Sequence, residues 1–561
     1  MPNELLRRGL LTLPLVLGAL LAQTTTRDGV SSTGSQPVGT AATAPVLSQD
    51  ARFVAFHSAA ANLVPNDTNG VNDVFVRDRL AGVTTRVSQG AGGVQANGGS
   101  QVARITPDGR FVAFQSSASN LVANDTNGVP DIFVHDRLTG VTSIASLGSS
   151  GQQATAASSQ CSISDDGRFV AFQNQDYYFV AGNNCVATNV YVRDRLLAQT
   201  RLVNVGPQQG QQFNPRANAQ ISGNGQDVVF DSPAPDIVPN DTNGFSDVFV
   251  YRLATGAVSR VSVSSAGIQG NQQSSAGRLS ADARYVTFHG YASNLVAGDT
   301  NGAADVFVRD RVLASTTRVS VSTAGVQANS ENGNPVISGD GRFVAFWSLG
   351  TNLVPGDTNN TFDCFLHDRL LGATQRVNVS PTGAQASGQA IDAELSADGN
   401  HVAFASAATD LIVPDGNGAI GDVFLRHPGS YAAALNYGTG CPGTGNVVPA
   451  IVPIGTPLLG NAAFAVGLRQ GLPSTLALLA ASLSPGSTPF SGCTVWLGGN
   501  IVTVGFVQLD VAGAAQVPFA ISANPAALGI TVYAQFLVAD PQGPQSGGVT
   551  FSNALSILIG N

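Results

Sequence analysis

The sequence predicts an all-β protein, a seven-bladed β-propeller of four-stranded blades followed by a β-sandwich. Three observations carry this. FVAF recurs at Phe53, Phe111, Phe169 and Phe343, with the relatives DVVF at Asp227, YVTF at Tyr285 and HVAF at His401, each start 58 residues after the last. Each unit holds four short apolar or alternating runs separated by turn residues, which reads as four strands per repeat, the signature of a propeller blade. Helical periodicity is absent from the repeats.

The chain begins with an export signal, residues 1–22. Arg7 and Arg8 supply the positive end, Gly9 to Leu21 is a 13-residue apolar run, and Ala22 is a cleavage site. The run is short for a membrane span, and no later stretch is long and apolar enough to be one. An uncleaved anchor is the alternative. The mature protein is therefore expected outside the cytoplasm, secreted, periplasmic or on the cell surface. Charged residues make up 11%, the 27 basic residues are all arginine, and the formal net charge is −9. That balance excludes the basic face a nucleic-acid partner needs.

The propeller is expected over residues 23–430. In the second unit Gln101 to Thr106 is the first strand. The turn Pro107-Asp108-Gly109 leads to the second, Arg110 to Ser116, and Asp-Gly between apolar runs is a strong hairpin signal. A loop of about a dozen residues follows. Asp131 to Arg137 is the third strand and Val141 to Ser146 the fourth. The ring can close in two ways. Thr25 to Ser35 (TTRDGVSSTGS) resembles Thr316 to Val326 (TTRVSVSTAGV), an outer strand, so the N-terminus is favoured as the last strand of blade seven. The rival is Tyr431 to Tyr437, where that blade's own fourth strand would fall.

The loop between strands two and three carries Asp-x-Asn-Gly-x-x-Asp. The sets are Asp67/Asn69/Asp73, Asp125/Asn127/Asp131, Asp241/Asn243/Asp247, Asp299/Asn301/Asp305, Asp357/Asn359/Asp363 and, stretched by one residue, Asp415/Asn417/Asp422. In a propeller this loop and the Gln/Asn-rich linker after strand four share one face. Calcium takes oxygens from carboxylates, amides and carbonyls in such spacing, so a structural calcium ion in each set is one expectation. Turn chemistry is the other, since Asp and Asn cap their own backbone and Asn-Gly turns without a metal. Crowding 12 carboxylates onto one rim is costly unless cations offset it, which supports the calcium reading. The third unit has lost the motif. Cys185 stands at the Asn position and Cys161 in its first strand, an arrangement that predicts a disulfide across the loop, contributing about 3 kcal/mol.

Other chemistry is sparse. The six histidines, His57, His135, His289, His367, His401 and His427, have no zinc-ligand spacing and read as packing. Arg-Asp-Arg after strand three (Arg77/Asp78/Arg79, Arg193/Asp194/Arg195, Arg309/Asp310/Arg311) repeats too often to be an active site and reads as salt bridges between blades on the opposite face. Cys364 reads as a buried free thiol.

The segments Ser338 to Ser348 (SGDGRFVAFWS) and Asp363 to Val379 (DCFLHDRLLGATQRVNV) resemble the TolB-type propeller repeat, distantly similar to WD repeats. The resemblance spans about Thr24 to Gly429. It implies the fold and leaves function open, since similar propellers serve translocation proteins, prolyl oligopeptidases and polysaccharide lyases. The TolB propeller has six blades, against seven units here. No α/β segment like that of TolB precedes the repeats, so a translocation role is not carried over.

The period ends near Gly429. Residues 431–561 hold seven strand-like segments between Pro/Gly turns, which predicts an antiparallel sandwich with Cys441 and Cys493 paired across it. It resembles the tails that end secreted bacterial repeat proteins. The functional expectation is an exported, non-catalytic binding or scaffold protein that meets protein or glycan through the Asp/Asn/Gln-rich face. The alternative is a propeller enzyme, a polysaccharide lyase or hydrolase, for which Gln173, Tyr177 and Tyr178 of the third unit are the candidates.

Overall fold

The structure is a computed structural model. It describes residues 24–176, 179–180, 188–204, 219–428, 433–437, 440–444, 447–454, 464–490, 493–521, 530–541 and 549–559. The signal residues 1–22, Tyr177, Tyr178 and Cys185 lie outside them. The chain divides into two units, with the propeller spanning Thr25–Pro428.

Seven four-stranded antiparallel sheets make up the propeller. The first blade runs Thr43–Leu47, Phe53–Ser58, Asp73–Asp78 and Val83–Arg86. The second runs Ser100–Ile105, Phe111–Ser116, Asp131–Asp136 and Val141–Ile144. The innermost strands of neighbouring blades touch all the way round, including the seventh against the first, so the ring is closed. The closing strand is Thr24–Arg27, which pairs with Asp422–His427 as the outer strand of the seventh blade. The rival segment, Ala433–Tyr437, belongs to the tail, where it pairs with Val549–Leu558.

Each blade repeats the same core. A ring on strand two stacks on a ring on strand three, as in Phe56–Phe75 at 5.8 Å and Phe114–Phe133 at 6.0 Å, and Tyr191 takes the second place in blade three. Apolar clusters run from one blade into its neighbour, so these blades share cores rather than each having its own. The Ser-x-Asp-Gly-Arg turns explain the tight hairpins. Asp340 Oδ1 accepts from Ser338 Oγ at 2.6 Å and from Arg342 N at 2.9 Å, and Gly341 takes φ +75°. The equivalent Gly109 also lies against a ring, since a Cβ there would stand 2.1 Å from Phe53.

In the tail, a five-stranded sheet (433–437, 549–558, 531–539, 476–482, 502–508) and a three-stranded sheet (450–454, 465–469, 515–518) enclose one core with Ile451, Val466, Leu479, Phe536 and Leu555. Ala433–Tyr437, Ala450–Ile454 and Ser484–Phe490 are strands beyond the expected seven segments. Cys441 is disulfide-bonded; the side chain of Cys493 lies outside the described residues.

Cys161 corrects an expectation. It is free and buried, and its Sγ donates to Val102 O at 3.2 Å in the neighbouring blade's inner strand. A bulge between Ser159 and Ser162 turns this stretch of strand. The side chain then faces the adjacent blade rather than the rim loop, and burial pushes the thiol up to about 12. Cys364 is a buried free thiol, as read from the sequence.

Candidate functional site

The Asp-Asn-Asp loops and the linkers after strand four do meet on one face. In the first blade Gln95 Nε2, from the linker, donates to Asp67 Oδ1 at 2.8 Å. Asn69 Nδ2 donates to Asp73 Oδ2 and to Ala96 O, each at 3.0 Å. Asn69 Oδ1 is turned away, accepting from Val71 N. Ser88 Oγ donates to the other oxygen of Asp73 at 2.6 Å.

The other asparagines repeat this orientation. Asn127 Nδ2 donates to Asp131 at 2.7 Å, Asn243 to Asp247 at 3.0 Å, Asn301 to Asp305 at 3.3 Å and Asn359 to Asp363 at 3.2 Å. Each also donates to a linker carbonyl, that of Ala154, Gly270, Ala328 or Ala386. Their Oδ1 atoms accept from the backbone N–H two residues on, at Val129, Phe245, Ala303 and Thr361, an Asx-type turn. The reason is the neighbourhood of the amide. A carboxylate and a carbonyl are both acceptors, so Asn69, Asn127, Asn243, Asn301 and Asn359 turn N–H inward and keep the oxygen for the turn. In the stretched seventh set Asn417 Nδ2 donates to Pro37 O and Asp422 Oδ1, each at 3.2 Å.

The cation between the carboxylates is an arginine from the end of the outer strand. Arg260 Nη1 lies 3.2 Å from Asp241 and 3.0 Å from Asp247. Arg318 lies 3.5 Å from Asp299 and 3.1 Å from Asp305, and Arg376 lies 3.4 Å from Asp357 and 3.1 Å from Asp363. Arg86 is looser, at 3.7 and 3.6 Å from Asp67 and Asp73. In the seventh blade the closing strand supplies the group. Arg27 Nε is 2.9 Å from Asp422, Arg27 Nη2 is 3.6 Å from Asp415, and Gln36 Nε2 donates to Asp415, Asn417 and Asp422. One N-terminal segment therefore closes the ring and completes its last acidic set.

Two blades differ. In the third, Asn189 replaces the last aspartate and Leu202 replaces the arginine, so acid and base are lost together. In the second, the acids stay but the arginine position is Ile144, opposite Phe133. Asp131 is fully buried there with Ser146 Oγ at 2.5 Å and Asn127 Nδ2 at 2.7 Å, and burial pushes it up to about 6. Gln153 Nε2 turns to Asn124 O instead of Asp125. Burial pushes Asp305 up to about 6 as well, with Arg318 beside it, and raises Asp67, Asp241, Asp299 and Asp357 above the usual carboxylate range. No group of three or more His, Cys, Asp or Glu side chains that could hold a metal ion occurs among the described residues.

On the opposite face the Arg-Asp-Arg triplets divide their work. The aspartate bonds within its own blade, as in Arg52 to Asp78 at 2.8 Å and Arg168 to Asp194 at 2.7 Å. The first arginine crosses to neighbouring carbonyls, as Arg77 does to Ser31 O and Arg193 to Gly148 O. The last arginine lies over a ring of the preceding blade, Arg137 over Phe53 at 4.2 Å and Arg195 over Phe111 at 5.3 Å. The contact between blades is thus mostly cation–π and carbonyl, with Arg311–Asp227 at 3.3 Å and Arg79–Asp28 at 3.2 Å as its ion pairs.

The histidines pack as expected. His57 Nε2 meets Thr43 Oγ1 and His289 Nε2 meets Ser275 Oγ, each at 3.1 Å, and burial lowers His289, His367 and His401 to about 4. Of the enzyme candidates, Gln173 is buried with its Nε2 unpartnered among the described residues. Sequence reading missed one polar set. Arg104, Arg278 and Glu394 take equivalent places on the inner strands of blades two, five and seven, where blades one and six have Val46 and Val336.

No family model matches the sequence, and no curated protein matches it. Among solved structures the chain is similar to TolB from Acinetobacter baumannii, at 15% identity over 54% of this chain and 59% of that one, with a TM-score of 0.32. It is similar to an oligogalacturonate lyase from Vibrio parahaemolyticus, at 10% identity over 72% and 97%, TM-score 0.43. It is similar to an acylaminoacyl peptidase of Pyrococcus horikoshii, at 12% identity over 77% and 57%, TM-score 0.42. TolB is thus among its structural neighbours, alongside enzymes. No described helix is long and apolar enough to cross a membrane.

Proposed function

We propose that this chain is an exported, non-catalytic binding module that meets a protein or glycan through the rim of its propeller. The observation that carries the reading is the state of that rim. Its buried carboxylates are engaged internally, five sets of six by arginine, so what faces outward is a rigid lattice of amides and hydroxyls. Asn97 holds Ser119 and Asn120, Asn271 holds Ser293 and Asn294, and Asn329 holds Thr351 and Asn352, all exposed or half-buried and all in the same pattern. Preorganised amides of this kind suit hydrogen-bonded recognition and lose little entropy on binding.

In this reading the rim is ordered by arginine instead of calcium. The guanidinium spans both carboxylates and the asparagine offers N–H, a set that fits a cation donor and not an oxygen-seeking metal. Export rests on the signal-like residues 1–22.

The test is a panel of soluble polysaccharides and extracellular proteins, read in parallel for retention and for product. Saturable retention without new reducing ends or unsaturated sugars supports the module. Turnover of any polysaccharide overturns it in favour of a lyase or hydrolase.

A further inference from the structure

The repeat makes each blade a control for the others, and at the junction of blades three and four one component is missing. In five blades the last arginine of strand three donates to the carbonyl of a turn residue before strand two. The pairs are Arg79 to Ala51 O, Arg137 to Gly109 O, Arg195 to Gly167 O, Arg311 to Ala283 O and Arg369 to Gly341 O. Three of these guanidinium groups also lie over a ring of the preceding blade, on Phe53, Phe111 and Tyr285, at 4.2, 5.3 and 4.4 Å. Asp78, Asp136 and Asp310 of the ring's own blade pull electrostatically on them.

In blade four this arginine is Leu253, and in blade seven Pro428 stands in its place. At the junction of blades three and four the receiving parts are all still present. Phe169 is the ring, with Arg168 over it at 4.7 Å just as Arg52 and Arg110 lie over theirs. Gly225 is the turn residue, in the same left-handed conformation at φ +69° and against the same ring edge. Its carbonyl accepts no hydrogen bond from any described residue. Asp194 is the carboxylate. Phe169, Asp194, Gly225 and Leu253 line one cavity of about 490 Å³, within the range of small-ligand sites. Arg168 and Arg201 also line it, Arg201 donating to Leu253 O at 3.3 Å.

We propose that this cavity is a guanidinium-binding site, filled by an arginine side chain of a ligand peptide or protein. Ring, carbonyl and carboxylate are the groups that hold a guanidinium at sister junctions of the same molecule. Planarity and delocalised charge suit stacking over an aromatic face in a way a lysine ammonium does not match. The site lies on the face opposite the rim, and its failure would leave the rim reading intact.

The experiment is calorimetric titration of the propeller-bearing full chain with Nα-acetyl-L-arginine amide, and with the corresponding citrulline compound as an uncharged isostere. The expected result is saturable binding of the arginine compound, at least tenfold weaker binding of the citrulline compound, and about tenfold weaker arginine binding to Phe169→Leu. Leu253→Arg supplies the missing group from within. It should abolish binding while melting no lower than the wild type. Absence of saturable binding, equal affinity for citrulline, or undiminished binding to a folded Leu253→Arg variant would each overturn the proposal.

Discussion

Replacing Arg376 with leucine strands Asp357 and Asp363, and the size of the loss can be worked from the geometry. The guanidinium is 3.1 Å from Asp363 and 3.4 Å from Asp357, with side-chain exposures of 9% for Arg376 and 0% for Asp363. At an effective dielectric of about 20, charges so placed attract by about 5 kcal/mol per contact. Desolvation of the three groups cancels most of that, so the intact centre contributes little net stability. Breaking it is different, because the carboxylates stay buried without their cation. Arg376→Leu should cost about 3 kcal/mol, read as a lower midpoint in urea with an unchanged slope. The third blade shows how the molecule itself does without the pair, using Asn189 and Leu202. The double variant Arg376→Leu/Asp363→Asn copies those two positions, leaving only Asp357 without its cation, and should recover at least half of the loss. The reasoning is refuted if the single substitution costs under about 0.5 kcal/mol or if the double is no better than the single.

The second blade supplies the converse. Ile144→Arg should stabilise by about 1 kcal/mol at neutral pH. Asp131 titrates at about 6 when folded, against 3.8 when free, so its ionisation erodes stability as pH rises through that interval. The gain from Ile144→Arg should therefore be small at pH 4 and complete above pH 6, as difference unfolding curves would show. His289 runs the other way. Its folded pKa is about 4, below the unfolded value of 6.5, so its contribution is present above 6.5 and lost as pH falls towards 4. His289→Gln, which installs the residue found at Gln115, should gain on the wild type over that fall in the same assay. Removing residues up to Arg27 takes away both the closing strand and the seventh blade's guanidinium. Limited proteolysis should then cut first within 390–428, whereas an unchanged pattern would deny that strand its closing role.

The fold was largely legible because the period is unbroken. FVAF and its relatives give the second strand of every blade, and the TTR likeness placed the closing strand where it is found. The acidic sets were also placed correctly on one face. What went unread was their cation. Arg86, Arg260, Arg318 and Arg376 recur at the repeat spacing, and Leu202 falls in the copy that also lost its acids. That joint loss was visible, but TTR was taken as strand and not as a charge aimed back at the loop two strands away. The facing of Asn243, Asn301 and Asn359 was unreadable for a related reason, since spacing places an amide without saying which end meets the carboxylate. Cys161 was misplaced for a different reason. An inner-strand bulge recurs in six blades, between positions such as Gln101 and Arg104, and shifts the facing of residues that simple alternation assigns to the other side. The triplets were read as bridges between blades because pattern alone does not say that Asp78 turns back to Arg52.

The central claim is that arginine, and not calcium, neutralises the acidic rim. Thermal unfolding of the mature protein in excess calcium and then in chelator tests it most directly. Ions that bind only the folded state raise its melting temperature. The account predicts melting temperatures that agree within about 1 °C, because the guanidinium groups already hold the carboxylates. A rise of several degrees with calcium, reversed by chelator, would contradict it.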